Sequence, residues 1–187
     1  MIVRGIRGLL LTLVLAAAAT GVRAADNKFT EPILLTSCGQ GPDVLMMKIM
    51  LTKDSLQFAY LPLASAADIQ GKGSVILVLG GSSKGLGAAK ISEQDETVRV
   101  TALLAAARRD SVLVLAAHLG GLNRRGALSD PFNRLGAEGA NRLMVVKSGN
   151  HDGFFTTISH EQNIPLDTLE TSLKIGALIK DFYRVRP

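Results

Sequence analysis

The sequence has few aromatic residues and almost no cysteine. Tryptophan is absent, aromatic residues make up 4% of the 187 residues, and Cys38 is the only cysteine. Because aromatic rings for base stacking are scarce and no lysine or arginine run is longer than a pair, we expect no nucleic-acid partner. A single cysteine excludes an internal disulfide. The three histidines have no ligand spacing, so we predict no metal site and no cofactor.

The first 24 residues have the pattern of a cleavable signal peptide. Arg4 and Arg7 precede an apolar run over residues 9–19, which is too short for a comfortable membrane span, and Val22 and Ala24 are the small residues of a cleavage site. We expect cleavage after Ala24, so that residues 25–187 form one α/β domain, periplasmic or secreted, without a membrane anchor. Removing the three arginines of this segment from 21 basic residues leaves 18, against 16 acidic residues.

Five apolar runs predict five β-strands. Two of them, in the segments "VILVLGG" and "VLVLAAHL", are continuous rather than alternating, which indicates strands buried on both faces. Such strands are typical of a parallel sheet covered by helices on both sides. The fold predicted is a three-layer α/β sandwich with a five-stranded, mostly parallel sheet in the flavodoxin-like order 2-1-3-4-5. The five runs are "ILLTSC", "LQFAYLPL", "VILVLGG", "VLVLAAHL" and "RLMVV".

Helices are predicted between and after these strands. The segment "DVLMMKIML" after Pro42 is apolar nearly all round, which indicates burial on more than one side. Ser92 and Asp95 have the spacing of a capping box, so a helix is expected to start at Ser92, which leaves residues 80–91 as a long loop. Further helices are expected at Asp130-Pro131 and after Asp152. A final helix after Pro165 would carry Leu169, Leu173, Leu178 and Phe182.

The segment "GGSSKGLG", residues 80–87, fits two enzyme motifs incompletely. Gly81, Gly85 and Gly87 match the G-x-x-x-G-x-G fingerprint of short-chain dehydrogenases, but that fingerprint follows a first strand, and the acid expected after the next strand is missing. Ser83 lies at the centre of G-x-S-x-G, the nucleophile elbow of esterase-like hydrolases. The only base in the right chain order is His160, inside an apparent helix.

A third interpretation of this segment is an anion-binding loop. Glycine-rich turns present successive amides to an anion, and Lys84 adds a positive charge. The loop after the fourth strand contributes His118 and two arginines, which should face the same crevice because the third and fourth strands are neighbours. The alternatives are that the glycines only permit close packing and that the arginines are a solvated pair. The predicted binding residues are Gly81, Ser82, Ser83, Lys84, Gly85, Gly87, His118, Arg124 and Arg125.

Four segments resemble a known family. "ILLTSCGQGPDVLMMKIML", "PLASAADIQG", "LVLGGSSKGLGAAKIS" and "HLGGLNRRGALSDPF" are similar to the blocks of an exported bacterial family known only as domain of unknown function 6305. The sequence departs from the family at Cys38, often a small residue there, and at Lys90, often glycine. The resemblance covers nearly all of the chain after the signal peptide, and it implies export and an α/β domain but no reaction.

These observations favour a binding domain over an enzyme. The leading hypothesis is an exported domain that binds a small anionic molecule at the carboxyl edge of its sheet. One alternative is a serine hydrolase that uses Ser83. The other is a protein-interaction module, for which the sequence identifies no partner.

Overall fold

The structure, a computed structural model, describes residues 29–183. The predicted signal peptide and its cleavage point therefore lie outside the described residues. None of the helices between residues 29 and 183 combines the length and the apolar character that a membrane crossing needs.

The described chain contains one parallel sheet of six strands in the order β2-β1-β3-β4-β5-β6. The predicted order of the first five strands is confirmed. Their parallel pairing puts all the carboxyl ends at one edge of the sheet, where ligands usually bind in doubly wound proteins. The strands are β1 Ile33–Cys38, β2 Phe58–Tyr60, β3 Ser74–Leu79, β4 Leu113–His118, β5 Arg142–Val146 and β6 Leu166–Leu169.

The sixth strand corrects the predicted start of the last helix. Residues 166–169 pair with β5, in a register that aligns Leu166 with Leu143, and the last helix begins only at Ile175. Leu173, placed in that helix from its spacing, is 86% exposed. A short, half-buried edge strand has too few apolar residues to show a period of two. The four-residue spacing of Leu169 and Leu173 was therefore interpreted as a helical repeat.

Helices cover both faces of the sheet. Side chains alternate along each strand, so Leu34 and Leu77 point to one layer, and Leu35 and Ile76 to the other. The first layer contains α3 (Glu93–Arg109), α4 (Ser129–Glu138) and α5 (Phe154–Gln162). The second contains α1 (Asp43–Lys53) and α6 (Ile175–Tyr183), and α2 (Ser83–Ala89) lies at the carboxyl edge.

The predicted burial of α1 on more than one side is wrong. Val44, Met47 and Leu51 are buried against the sheet, whereas Leu45 is 49% and Ile49 is 68% exposed. The three buried residues follow the helical spacing of a single face. These buried residues pack on the sheet and on α6, and the opposite face of the helix is exposed.

The predicted loop over residues 80–91 is also partly wrong. Ser82 caps the short helix α2, and Lys90 ends it in the left-handed conformation with φ 57°. The start of α3 after Ser92 is confirmed: Ser92 Oγ accepts from Asp95 N at 3.0 Å, and Asp95 accepts from Ser92 N. The helix predicted at Asp130 begins one residue earlier, at Ser129. Asp152 precedes α5 as expected and accepts from Phe154 N at 3.2 Å.

Candidate functional site

The loops after β1 and β3 are joined backbone to backbone. Gly80 N donates to the carbonyl of Cys38 at 3.0 Å and Ser82 N donates to that of Gly39 at 2.9 Å. A Cβ atom on Gly39 would lie 2.8 Å from Gly80 O. These glycines thus allow two loops to pack without side chains between them at the carboxyl edge, where doubly wound proteins usually bind a ligand.

The amides of the glycine segment already have acceptors inside the protein. Gly81 N donates to Ser129 Oγ at 3.1 Å, and Gly85 N donates to Ser82 Oγ at 3.0 Å. A nest for an anion needs several adjacent amides that are free to converge on it. The amides of Gly80, Gly81, Ser82 and Gly85 do not meet that condition.

A buried ion pair holds the loop after β1, and sequence reasoning missed it. Glu96 is fully buried, accepts from Gly39 N at 2.9 Å and from Gln40 Nε2 at 3.1 Å, and pairs with Arg99 at 2.8 Å. Arg99 in turn donates to the carbonyl oxygen of Ser37 at 2.6 Å. The i,i+3 spacing of a glutamate and an arginine was the available signal, but such pairs usually lie on a solvated helix face.

Arg124 lies across the glycines at the ends of β3 and β4. A Cβ atom on Gly80 would lie 2.9 Å from Arg124 Cδ, and one on Gly120 would lie 2.2 Å from Arg124 Cγ. Arg124 Nε donates to Asp43 Oδ2 at 2.5 Å, and the side chain is 23% exposed. Within residues 29–183, the only other acceptor for its guanidinium is the Asn123 carbonyl at 3.4 Å. Arg124 therefore keeps donors that Asp43 does not use.

Arg125 is held inside the fold by two carboxylates. Its guanidinium donates to Asp130 at 2.7 Å, to Asp152 at 2.9 Å and to the Gly149 carbonyl at 2.6 Å, and its side chain is only 8% exposed. The guanidinium carbon lies 4.3 Å from the centre of the Phe154 ring. Hydrogen bonds from Arg125 hold the pKa of Asp152 well below its ordinary value. Arg125 thus connects α4, α5 and the loop after β5.

His118 is buried beneath the loop after β4, which carries Arg124 and Arg125. Its Nε2 bonds the carbonyl oxygen of Arg124 at 3.0 Å, and Asn133 Nδ2 donates to that oxygen at 2.8 Å. His118 Nδ1 has no hydrogen-bond partner within the described residues, and a Cβ atom on Gly149 would lie 2.5 Å from it. Burial lowers the pKa of His118, so the ring is neutral at pH 7. Its position supports the loop from below.

In the described chain, Ser83 has no hydrogen bond to a catalytic base. Ser83 is the exposed first residue of α2, and among residues 29–183 no histidine hydrogen-bonds to its hydroxyl. His160, the predicted base, is an exposed residue of α5. The Cys38 thiol is buried, donates to the Phe132 carbonyl at 3.1 Å, and has its pKa raised by burial. In the described chain no cluster of three His, Cys, Asp or Glu residues has the arrangement of a metal site.

The structure brings most of the predicted binding residues to one region. Gly80 to Gly85 and the Arg124 side chain border the carboxyl edge at β1 and β3, where Ser83 and Lys84 are exposed. His118 and Arg125 lie beneath or beside this region and hold the loop that carries Arg124. Gly87 lies further along α2, and a Cβ atom there would have no neighbour within 4 Å.

The parallel sheet, the order of its strands and the helices on both of its faces define an α/β protein of the doubly wound, flavodoxin-like class. The chain belongs to the family described as Domain of unknown function (DUF6305), whose model matches residues 30–183. The resemblance seen in the sequence is thereby confirmed.

Similarity to other known proteins is low. Among solved structures, a mutant of the esterase AlinE4 is similar at 10% sequence identity and a TM-score of 0.28, over 83% of this chain and 84% of that chain. A likeness at this level carries no argument about activity. None of the curated proteins matches this sequence.

Proposed function

We propose that this domain binds a small anionic molecule at the carboxyl edge of its sheet, without catalysing a reaction, and that Lys84 and Arg124 make the cationic contacts. The observation that carries the proposal is the position of Lys84. It is exposed on the first turn of α2, and no carboxylate within residues 29–183 pairs with it. Since Asp43 compensates the charge of Arg124, Lys84 supplies the excess positive charge of this region.

Arg124 is the natural second contact. Its side chain lies against Gly80, and Gly80 precedes Lys84 by four residues in the chain. A planar guanidinium can bind a carboxylate or phosphate through two donors at once. In this proposal Arg125 and His118 act indirectly, because they fix the loop that carries Arg124. The amides of Gly81, Ser82 and Gly85 hold α2 in place. No contact among the described residues supports the predicted binding role of Gly87.

A thermal-shift experiment with inorganic phosphate, succinate and a nucleotide tests the proposal. An anion present at about 100-fold its Kd should stabilise the protein by about 2.7 kcal/mol. Lys84→Gln should remove most of that shift, and Lys90→Gln, at the other end of α2, should leave it unchanged. Absence of a shift with all three anions, or an intact shift in Lys84→Gln, would show that the proposed site is wrong.

A second candidate function is protein interaction at the same edge. Large apolar side chains are exposed on three segments that leave this edge: Leu63 after β2 (44%), Leu45 on α1 (49%) and Leu122 after β4 (58%). Exposed apolar residues that gather at one end of a fold are typical of a contact surface.

A pull-down from a periplasmic extract separates the two functions. We expect the double variant Leu45→Glu/Leu122→Glu to lose a partner that the wild type retains. Val98→Glu, which replaces a 59% exposed residue of α3, is the control. A partner lost only in the leucine variant supports interaction, whereas equal recovery by all three proteins opposes it.

We also propose export with removal of residues 1–24, on the sequence pattern alone. Amino-terminal sequencing of the protein from a periplasmic or culture fraction tests this. Mature protein should begin at Ala25, and recovery only in the cytoplasm with Met1 intact would contradict export.

A further inference from the structure

Two adjacent cavities lie between α3 and α4, away from the carboxyl edge. The first, of about 270 Å³, is lined by Leu104 and Ala105 of α3 and by Leu135 of α4. The second, of about 310 Å³, extends to the turn after α3, the start of β4 and residues 140–141 before β5. Arg108 and Gly139 line both cavities, so the two are neighbours that share a wall. Both are open to solvent, and the second is at the lower end of the size range of small-molecule sites.

The shared wall is formed by a close approach of the two helices. A Cβ atom on Gly139, which ends α4, would lie 2.5 Å from Leu104 Cδ1. Leu104 and Leu135 are half-buried and pack against the core on this side of the sheet. The first cavity therefore has a fixed apolar floor.

Arg108 is a cation without a counterion beside this floor. Its neighbour Arg109 pairs with Asp110 at 2.8 Å. Glu138, the acidic residue that lines the first cavity, pairs with Arg134 at 3.1 Å. No carboxylate in the described chain pairs with Arg108, which is exposed. The cavities thus combine an apolar surface with a free guanidinium.

We propose that these cavities bind an amphiphilic carboxylate. Its hydrocarbon part would lie over Leu104 and Leu135, where it is removed from water, and its carboxylate would accept two hydrogen bonds from Arg108. The charge of Arg108 favours an anionic head, and the apolar floor formed by Leu104 and Leu135 favours a hydrocarbon body. This site is separate from the one proposed at the carboxyl edge and depends on different residues.

Isothermal titration calorimetry with octanoate and octanol on the full chain tests the proposal. We expect octanoate to bind more tightly than octanol, and Arg108→Gln to weaken octanoate by about tenfold, the usual loss of a charge-assisted hydrogen bond. Arg109→Gln, the adjacent arginine, should bind octanoate like the wild type. Lys84→Gln should also bind it normally, which distinguishes this site from the carboxyl edge.

Ala105→Trp fills the apolar part of the first cavity and should abolish binding of both ligands, with thermal melting as the check that the variant is folded. The proposal is wrong if the wild type binds no octanoate. It is equally wrong if the wild type binds octanoate and octanol with equal affinity, or if Arg108→Gln binds octanoate as the wild type does.

Discussion

A Cβ atom on Gly85 would lie 2.0 Å from the carbonyl oxygen of Gln40, so α2 packs on the loop after β1 through bare backbone. Gly87 is two residues further along the same helix, and a Cβ atom there would have nothing within 4 Å. The two glycines belong to the same sequence fingerprint. Only Gly85 is required by packing.

This difference predicts opposite effects of alanine at the two positions. Gly85→Ala should lower the free energy of unfolding by about 1–3 kcal/mol, since the backbone of Gln40 must move. Gly87→Ala should raise it by about 0.5–1 kcal/mol, because alanine favours the helix. Urea denaturation of both variants measures the two values. Equal effects would show that α2 does not pack on Gln40 as described.

The serines around α2 and α3 predict a second contrast. Ser82 and Ser92 are the N-caps of these helices, so alanine at either position should cost about 1 kcal/mol. Ser83 is exposed and forms no cap, and Ser83→Ala should change stability by less than about 0.5 kcal/mol. Thermal melts of the three variants measure this order. A loss at Ser83 as large as that at Ser82 would mean that the helix is capped differently.

Sequence reasoning succeeded where one local signal was sufficient. The bounds of β1 and β5 are those of the runs "ILLTSC" and "RLMVV", because both runs are mostly apolar and nearly all of their residues are buried. The helix α2 was missed because two glycines and one serine give its seven residues low intrinsic propensity. Gly85 of this helix packs on Gln40, which lies more than 40 residues earlier in the chain. Local sequence patterns do not predict such a contact.

The candidate site was located but its chemistry was not. Strand order alone places Lys84 and the two arginines at one edge of the sheet. The sequence does not show that Asp152, 27 residues after Arg125, would meet its guanidinium. Arg124 and Arg125 are adjacent, yet only Arg124 keeps unused donors. Ion pairs of this kind depend on which elements pack together in the fold. The spacing of two residues along the sequence does not predict them.

His118 predicts a pH dependence of stability. Its pKa is lowered by burial, so below about pH 6.5, the ordinary value, the unfolded chain takes up a proton that the folded protein does not. The contribution of His118 to stability is therefore complete above pH 6.5 and is lost as the pH falls. We expect a decrease of up to about 1.4 kcal/mol per pH unit from this group between pH 6.5 and 5.

Urea denaturation of the wild type and His118→Gln across this range isolates the contribution, since glutamine can still donate to the Arg124 carbonyl but does not titrate. The variant should show a shallower slope. His160→Gln, which replaces an exposed histidine, is the control and should keep the slope of the wild type. The same slope in all three proteins would contradict the burial of His118.

Arg125 should contribute far more to stability than either of its acidic partners alone. Arg125→Met keeps much of the side-chain volume but leaves Asp130 and Asp152 facing each other without a cation. The side chain of Arg125 is 8% exposed, but the carboxylates are 30% and 46% exposed and keep part of their hydration. We therefore expect a loss of about 2–3 kcal/mol, below that of a fully buried pair.

Asp152→Asn is the matched variant, because it removes the more exposed carboxylate and should cost less than about 1 kcal/mol. Acid provides a second check. The pKa of Asp152 is lowered by its hydrogen bonds from Arg125, so the stability it contributes is complete above about pH 4 and is lost as the pH falls further. Urea denaturation at pH 7 and pH 3 should therefore show a smaller loss of stability in acid for Arg125→Met than for the wild type. If Asp152→Asn lowers the free energy of unfolding as much as Arg125→Met does, the guanidinium does not join two carboxylates. Arg125 would then be available to bind an anion.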